Sequence, residues 1–343
     1  IVEDVKFTYI GIHIAQPIVY LDKNIIKKVS EKKFSTLYFN NTNKNLWGNG
    51  ITELSSLSEK TKKYAYSVIF KIHKETNRII KTLDYPTIIS NITNLTYQNT
   101  KNPVLNLLLK KSKLYDNTIN NSKEMVSFWM TKANHYIGMK LKGKGLPYRV
   151  NKTVNIEILE IPDDKKEIFK NRLNESAYYS LDEFEHQTLK KHFYTHFSSP
   201  IRRIVDVFIH YYLTYNVKIN FDIDKINFLD KQTKKFHRTL ELKKKIDEVE
   251  NKSELNAYLF QIKKPNIWEV YTKELGFVNM VLFNSKFDYQ FNIIKKNDKF
   301  IIKNNNSSFE FKIGKLIKVI VEKTTNLIPQ KSFKIIPKSI ILN

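Results

Sequence analysis

The chain has no cysteine, so disulfide frameworks, zinc knuckles and cysteine nucleophiles are excluded together, and a reducing compartment is the expectation. No apolar run approaches the roughly 18 to 20 residues that a membrane-spanning helix needs. The start, Ile1-Val2-Glu3-Asp4, carries no initiator methionine and does not look like a secretory signal; it reads as the edge of an excised or processed segment. An intracellular, cytoplasmic location is therefore expected, with no membrane partner. Internal repeats, heptads and a glycine-rich phosphate loop are also missing, which argues against solenoids, coiled coils and P-loop nucleotide binding. Acidic residues are scarce beside basic ones: 34 Asp and Glu face 58 Lys and Arg, for a net charge of +24.

That imbalance is the strongest compositional signal. Strongly basic chains meet polyanions, either nucleic acid or an anionic membrane surface, and nucleic acid is favoured here. An A/T-rich genome, which favours Lys, Asn and Ile codons, accounts for part of the lysine excess. Hydrophobic residues make up 41% and charged residues 27%, ordinary values for a globular chain, and 343 residues are enough for two domains of unequal size.

Residues 1–100 read as β-rich. Phe7 to Ala15 is a run of β-branched and aromatic residues, Tyr64 to His73 is a second, and Arg78 to Leu83 is a third after a turn at Lys74-Glu75-Thr76-Asn77. Residues 104–143 turn helical, with Asn121-Ser122 and Glu124 as a start signal, and end near Pro147 and a short strand Tyr148-Arg149-Val150. Residues 163–262 read as mainly helical, opening at Pro162-Asp163-Asp164 and including a long charged stretch from Lys231 to Leu259. Its lysines, such as Lys243, Lys244 and Lys245, are expected to be a solvated face. From 266 onward short alternating segments separated by Asn297-Asp298 and Asn304-Asn305-Asn306 have the spacing of a small antiparallel barrel.

The densest motif is Tyr194-Thr195-His196-Phe197-Ser198-Ser199-Pro200-Ile201-Arg202-Arg203, followed by Asp206 and His210. Ser198 and Ser199 can cap a helix whose first turn starts at Pro200, and that helix end together with Arg202 would face one anion. The alternative is an ordinary capped helix with surface arginines. The string resembles the signature of the ribonuclease II and ribonuclease R family of RNB-domain exoribonucleases. Collinear pieces extend the resemblance: Ile10-Gly11-Ile12-His13-Ile14-Ala15, Ser35-Thr36-Leu37-Tyr38-Phe39, Glu53-Leu54-Ser55-Ser56-Leu57, Leu95-Thr96-Tyr97, Met130-Thr131-Lys132-Ala133-Asn134, Tyr148-Arg149-Val150, His186, and Phe311-Lys312-Ile313-Gly314 before Ile317-Lys318-Val319 near the end.

The resemblance implies an α+β chain, with an RNB-type domain of mixed sheet and helices over 1–262 and an OB-type RNA-binding barrel over 265–343. It implies a 3′→5′ exoribonuclease that takes single-stranded RNA in a basic channel and uses Mg²⁺, or Mn²⁺, held by a cluster of carboxylates. Asp4 and Glu3 fall on two of those ligand positions, while Ile1 and Gln16 stand where the family has aspartates. Arg202 falls on the arginine that neutralises phosphorus. Tyr38, Tyr194, His196, Arg149 and Arg203 fall where RNA would be met, and Glu248 is a loose match to a late glutamate. Two readings stay open: an exoribonuclease impaired by a missing ligand, or a non-catalytic RNA-binding protein that keeps the fold. For Asp4 the plainer alternative is a solvated strand-end acid, and for Tyr38 a core aromatic. His13, His196 and His210 are expected to be structural.

Overall fold

The computed structural model describes residues 1–59, 61–98, 101–153, 163–174, 176–264, 267–281, 292–296, 299–303, 308–312, 314–324 and 333–337. The chain divides into two compact units. The first holds 1–152 and 176–233, and the second holds 153–175 and 234–343.

In the first unit, β1 (Val2–Glu3), β2 (Phe7–Ala15), β5 (Lys63–His73) and β6 (Ile79–Ile89) form one antiparallel sheet in the order β1-β2-β5-β6. Strand β2 occupies the run of β-branched and aromatic residues that defines it in the sequence. The small strands β3 (Leu37–Tyr38) and β4 (Asn43–Lys44) pair with each other, and β7 (Tyr148–Val150) pairs with β8 (Tyr178–Ser180). The helices are α1 (Lys23–Ser30), α2 (Gly48–Ser55), α3 (Pro103–Lys113), α4 (Ser122–Lys140) and α6 (Ile204–Tyr215), with the first part of α7 (Ile223–Glu248). Asp22 caps α1 by accepting from the Asn24 N–H at 2.7 Å. Asn121 caps α4 by accepting from the Glu124 N–H at 3.0 Å, while Glu124 accepts from the Asn120 N–H at 2.6 Å, a reciprocal arrangement that fixes where the helix begins.

Two apolar clusters hold this unit. Met125, Trp129, Ala133 and Ile137, at helical spacing on α4, pack with Ile10, Val68 and Phe70 of the sheet. Val205, Phe208 and Ile204 of α6 pack with Ile26, Phe34, Leu46 and Ile226. Helix α6 is buried on all sides from Ile204 through His210, so this part runs through the interior.

The second unit holds α5 (Asp163–Leu173), the rest of α7, and an antiparallel sheet ordered β11 (Gly276–Val281), β10 (Ile267–Thr272), β9 (Glu254–Lys264), β15 (Leu316–Lys323), β16 (Phe333–Pro337). The edge strands β11 and β16 lie against each other, so the sheet curls into a nearly closed OB-type barrel around Leu255, Ala257, Leu259, Trp268, Val270, Val319 and Ile335. Strands β12 (Asn292–Lys296), β13 (Lys299–Lys303) and β14 (Ser308–Lys312) form a separate three-stranded sheet.

The helix expected to run to Leu259 ends at Glu248. Lys252 turns the chain with a φ of 64°, and from Glu254 the burial alternates with period two, as a barrel strand requires. The boundary expected at 262–265 thus lies within the β9–β10 hairpin. The turns expected at Asn297-Asp298 and Asn304-Asn305-Asn306 lie outside the described residues. Among the described residues no helix is long and apolar enough to cross a membrane.

Candidate functional site

The acidic start of the chain folds as a hairpin. Strand β1 pairs Val2 with Tyr9 and Glu3 with Thr8, and the Asp4 N–H donates to Phe7 O at 2.9 Å to close the turn. The Asp4 carboxylate then accepts from the Lys6 and Phe7 N–H groups at 2.8 and 2.6 Å and from the Tyr9 hydroxyl at 3.0 Å. The Phe7 N–H and the Tyr9 hydroxyl hold its pKa below the usual aspartate value. Glu3 accepts from the Thr8 hydroxyl at 2.7 Å and faces Lys111 at 3.3 Å and Lys74 at 3.8 Å; the Thr8 bond and these cations hold its pKa low.

Glu3 bonds Thr8 and Asp4 bonds Tyr9, neighbours on β2 that face opposite ways, so the two carboxylates diverge, and each already has its partners inside the protein. Ile1 packs against the α4 core cluster. Gln16 is buried and donates to the Thr214 hydroxyl at 2.7 Å. A two-metal centre needs several carboxylates converging on one place. Glu3 and Asp4 do not fit that requirement, and among the described residues no group of three or more His, Asp or Glu converges for a metal. Glu248 is exposed at the end of α7 in the second unit. His192 and His196 stand four residues apart, a metal-pair spacing on a helix, but this segment is not helical and His196 Nδ1 lies 2.6 Å from the Tyr179 hydroxyl.

The signature segment departs from its expected form. Helix α6 begins at Ile204, with Arg203 as its unassisted cap, not at Pro200. Residues 199–203 form a tight turn in which Ser199 O accepts from the Arg202 and Arg203 N–H groups at 3.1 and 2.9 Å. Strand-like pairing with 34–36 follows at 202–204 and holds Arg203 extended: Thr36 N–H donates to Arg202 O at 3.0 Å, Ile204 N–H donates to Phe34 O at 3.0 Å, and Ser35 bridges Arg203. No helix end faces an anion at Pro200. The fully buried Asp206 reaches back instead, accepting from the Ser199 N–H at 2.6 Å and from Arg203 at 2.9 Å.

The same pairing brings two exposed groups to one edge. The Arg202 side chain is exposed, and two residues beyond Thr36 the hairpin β3–β4 presents Tyr38 and Phe39, 43% and 39% exposed. The other expected RNA contacts lie deeper. Arg149 is buried, donates to Asp230 at 2.9 Å and lies 4.4 Å from the Tyr179 ring centre. Tyr194 is buried, and its hydroxyl accepts from Asn134 at 3.0 Å. Asn134 also accepts from the Phe197 N–H at 3.1 Å, so one α4 side chain fastens both ends of the 194–197 segment.

Tyr179 is the centre that sequence reasoning missed. It bonds His196, its backbone exchanges hydrogen bonds with Asn227 at 2.7 and 2.8 Å, and burial pushes its pKa well up. Asp230, Asn227 and Tyr179 carry no local motif; only the pairing of β8 with β7 brings them to Arg149.

His210 is buried, stacks on Phe197 at 4.4 Å and has Nε2 2.9 Å from Phe197 O; burial pulls its pKa down to about 4. The folded state therefore keeps it neutral where the unfolded chain protonates it at the ordinary histidine value. Its contribution is intact above about pH 6.5 and is lost as pH falls toward about 4, a loss of about 3 kcal/mol in all. Urea denaturation across that range checks this: His210→Phe should flatten the profile, and an unchanged profile would contradict it.

A sequence model of the RNB domain matches residues 100–219. None of the curated protein sequences matches the chain. Among solved structures, Mycoplasma genitalium RNase R in complex with ribose-methylated single-stranded RNA is similar, with a TM-score of 0.71 at 15% identity over 97% of this chain and 68% of that one. An active-site mutant of the Dss1 exoribonuclease from Candida glabrata gives 0.68 at 16% identity over 97% of this chain and 51% of that one. Yeast Ssd1, described as a pseudonuclease, gives 0.63 at 10% identity over 96% and 64%. The chain thus spans about two thirds of the RNase R chain and half of Dss1. Residues 100–219 thus match the RNB domain, and the chain shares the fold of the RNase R and Dss1 structures, with an OB-type barrel following in sequence.

Proposed function

We propose that the chain binds single-stranded RNA on its RNB unit, with Tyr38 stacking on a base and Arg202 meeting a phosphate, and that Glu3 and Asp4 serve the hairpin turn, not a metal. The observation that carries the binding is the exposed Tyr38–Phe39 hairpin, which begins just beyond the backbone bond from Thr36 to the exposed Arg202. Aromatic faces stack on every base, and a guanidinium fork suits phosphate oxygens, so sequence-tolerant binding is what this pairing offers. The buried pairs Arg149–Asp230 and Arg203–Asp206 support the platform from beneath.

The second reading, a 3′→5′ exoribonuclease, is favoured by the RNB match and by the exposed Arg202 of the signature. Against it stand the diverging, already bonded carboxylates.

A channel that admits one unpaired strand prefers a free 3′ end. A duplex with a 3′ overhang should bind more tightly than a blunt duplex or one with a 5′ overhang, as read by fluorescence anisotropy. Tyr38→Ala should weaken overhang binding about tenfold, since one base stack is worth about 1–3 kcal/mol. Equal affinity for the three duplexes, or no effect of Tyr38→Ala, would argue for an open basic surface instead.

A further inference from the structure

Lys132, His135 and Gly138 recur every three residues along α4 and so share a face. Gly138 is where the segment 190–193 meets the helix: a Cβ there would lie 1.6 Å from Phe193 O, so only glycine permits the approach. Lys190 and Phe193 take φ values of 51° and 55°, a conformation that costs non-glycine residues, and they do so on either side of Lys191 and His192. This strained, closely docked segment sets Lys191 and His192 against Lys132 and His135. The Lys132 ammonium lies 5.1 Å from the Phe128 ring centre and 5.5 Å from that of Tyr115, and Lys142 lies 5.1 Å from the ring of Phe193.

The groups acting on His135 are Lys132 on its own helix and Lys191 and His192 on the docked segment. Burial first, and then Lys191 and Lys132, lower the pKa of His135; burial and then Lys191 lower that of Lys132. Among the described residues no ion pair joins Lys132, His135, Lys191 or His192 to a carboxylate. A cluster of partly buried cations with no acid costs free energy in the isolated protein, and an arriving anion recovers it.

We propose that Lys132, His135, Lys191 and His192 form a phosphate-binding site for the RNA backbone, additional to Tyr38 and Arg202, whose grip tightens as His135 takes up a proton. The inference rests on the RNA-binding reading. A phosphate beside His135 favours the imidazolium, so RNA binding takes up a proton. Affinity then rises as pH falls through the bound-state value and levels off below the lower value of the free protein.

The test is anisotropy of a labelled, unstructured RNA on the full chain at about pH 8 and about pH 5.5, with a salt titration at each. Wild type should bind about three- to tenfold more tightly at the lower pH, and His135→Gln should remove most of that difference while keeping the affinity at the higher pH. Lys191→Gln, a change in a partly exposed segment, should lower the salt slope by about 0.7, the signature of one lost single-strand phosphate contact. RNA binding with an unchanged pH profile in His135→Gln and an unchanged slope in Lys191→Gln overturns this site and leaves the Tyr38–Arg202 reading standing. Absence of any RNA binding by wild type overturns both.

Discussion

Raising the salt from about 50 to about 200 mM should weaken the binding of an unstructured RNA roughly a thousandfold. A strand that contacts six to ten phosphates through Lys and Arg releases condensed counterions, and the logarithm of affinity then falls by about 0.7 per contact for each decade of salt. The chain has the means, with 58 basic residues against 34 acidic ones. A good part of that excess is available on exposed or half-exposed side chains such as Arg202, Lys191 and Lys142. Stacking on Tyr38 is nearly indifferent to salt, so a residual affinity should persist at high salt and should be what Tyr38→Ala removes. A titration that stays flat across the range would exclude a phosphate-tracking surface.

Asp206→Ala should destabilise the RNB unit by about 3–5 kcal/mol, the usual result of removing one partner from a buried, hydrogen-bonded ion pair. Asp206 is fully buried in the first turns of α6, yet its carboxylate serves residues outside that helix, accepting from the Ser199 N–H and from Arg203. Its loss would leave Arg203, itself mostly covered, beside Tyr179 without a counter-charge, and would release the 199–203 turn that holds Arg202 against Thr36. Asp206→Asn keeps the acceptor for Ser199 and loses only the charge, so it should cost less than alanine. Urea denaturation of the three proteins checks the order, and equal stability of wild type and Asp206→Ala would contradict it.

The elements legible in the sequence are those whose cause is local. Phe7 to Ala15 is a run of β-branched and aromatic residues and becomes β2; Asn121 and Glu124 announce the start of α4 and provide it. Helices α1 and α2 went unexpected within a segment read as β-rich, although Asp22 before Lys23 is a cap signal of the same kind. Where the chain obeys a distant partner, local reading misplaces it. Pro200 looks like a helix start, but 199–203 closes a tight turn and the pairing of 34–36 with 202–204 holds Arg203 extended, so the helix begins only at Ile204. Leu255, Ala257 and Leu259 continue a charged stretch that reads as helix, and only the barrel makes their alternation decisive.

The site divides in the same way. Tyr38 and Arg202 are exposed, as contacts with RNA require. Arg149 and Tyr194, expected as RNA contacts, are buried, because Asp230, 81 positions away, and Asn134, 60 positions away, hold their polar atoms inside. Glu3 and Asp4 look like half of a metal centre as letters. As a hairpin they face opposite ways, and backbone amides, hydroxyls and lysines already occupy their oxygens.

The central claim is that this RNB fold holds RNA while Glu3 and Asp4 serve a turn and not a metal. Incubation of the chain with 5′-labelled single-stranded RNA and Mg²⁺ or Mn²⁺, under conditions where anisotropy shows the RNA bound, followed by a denaturing gel, tests it most directly. The account predicts full-length RNA at every time point, the same with and without the metal. Progressive metal-dependent shortening from the 3′ end that Asp4→Asn abolishes would contradict it.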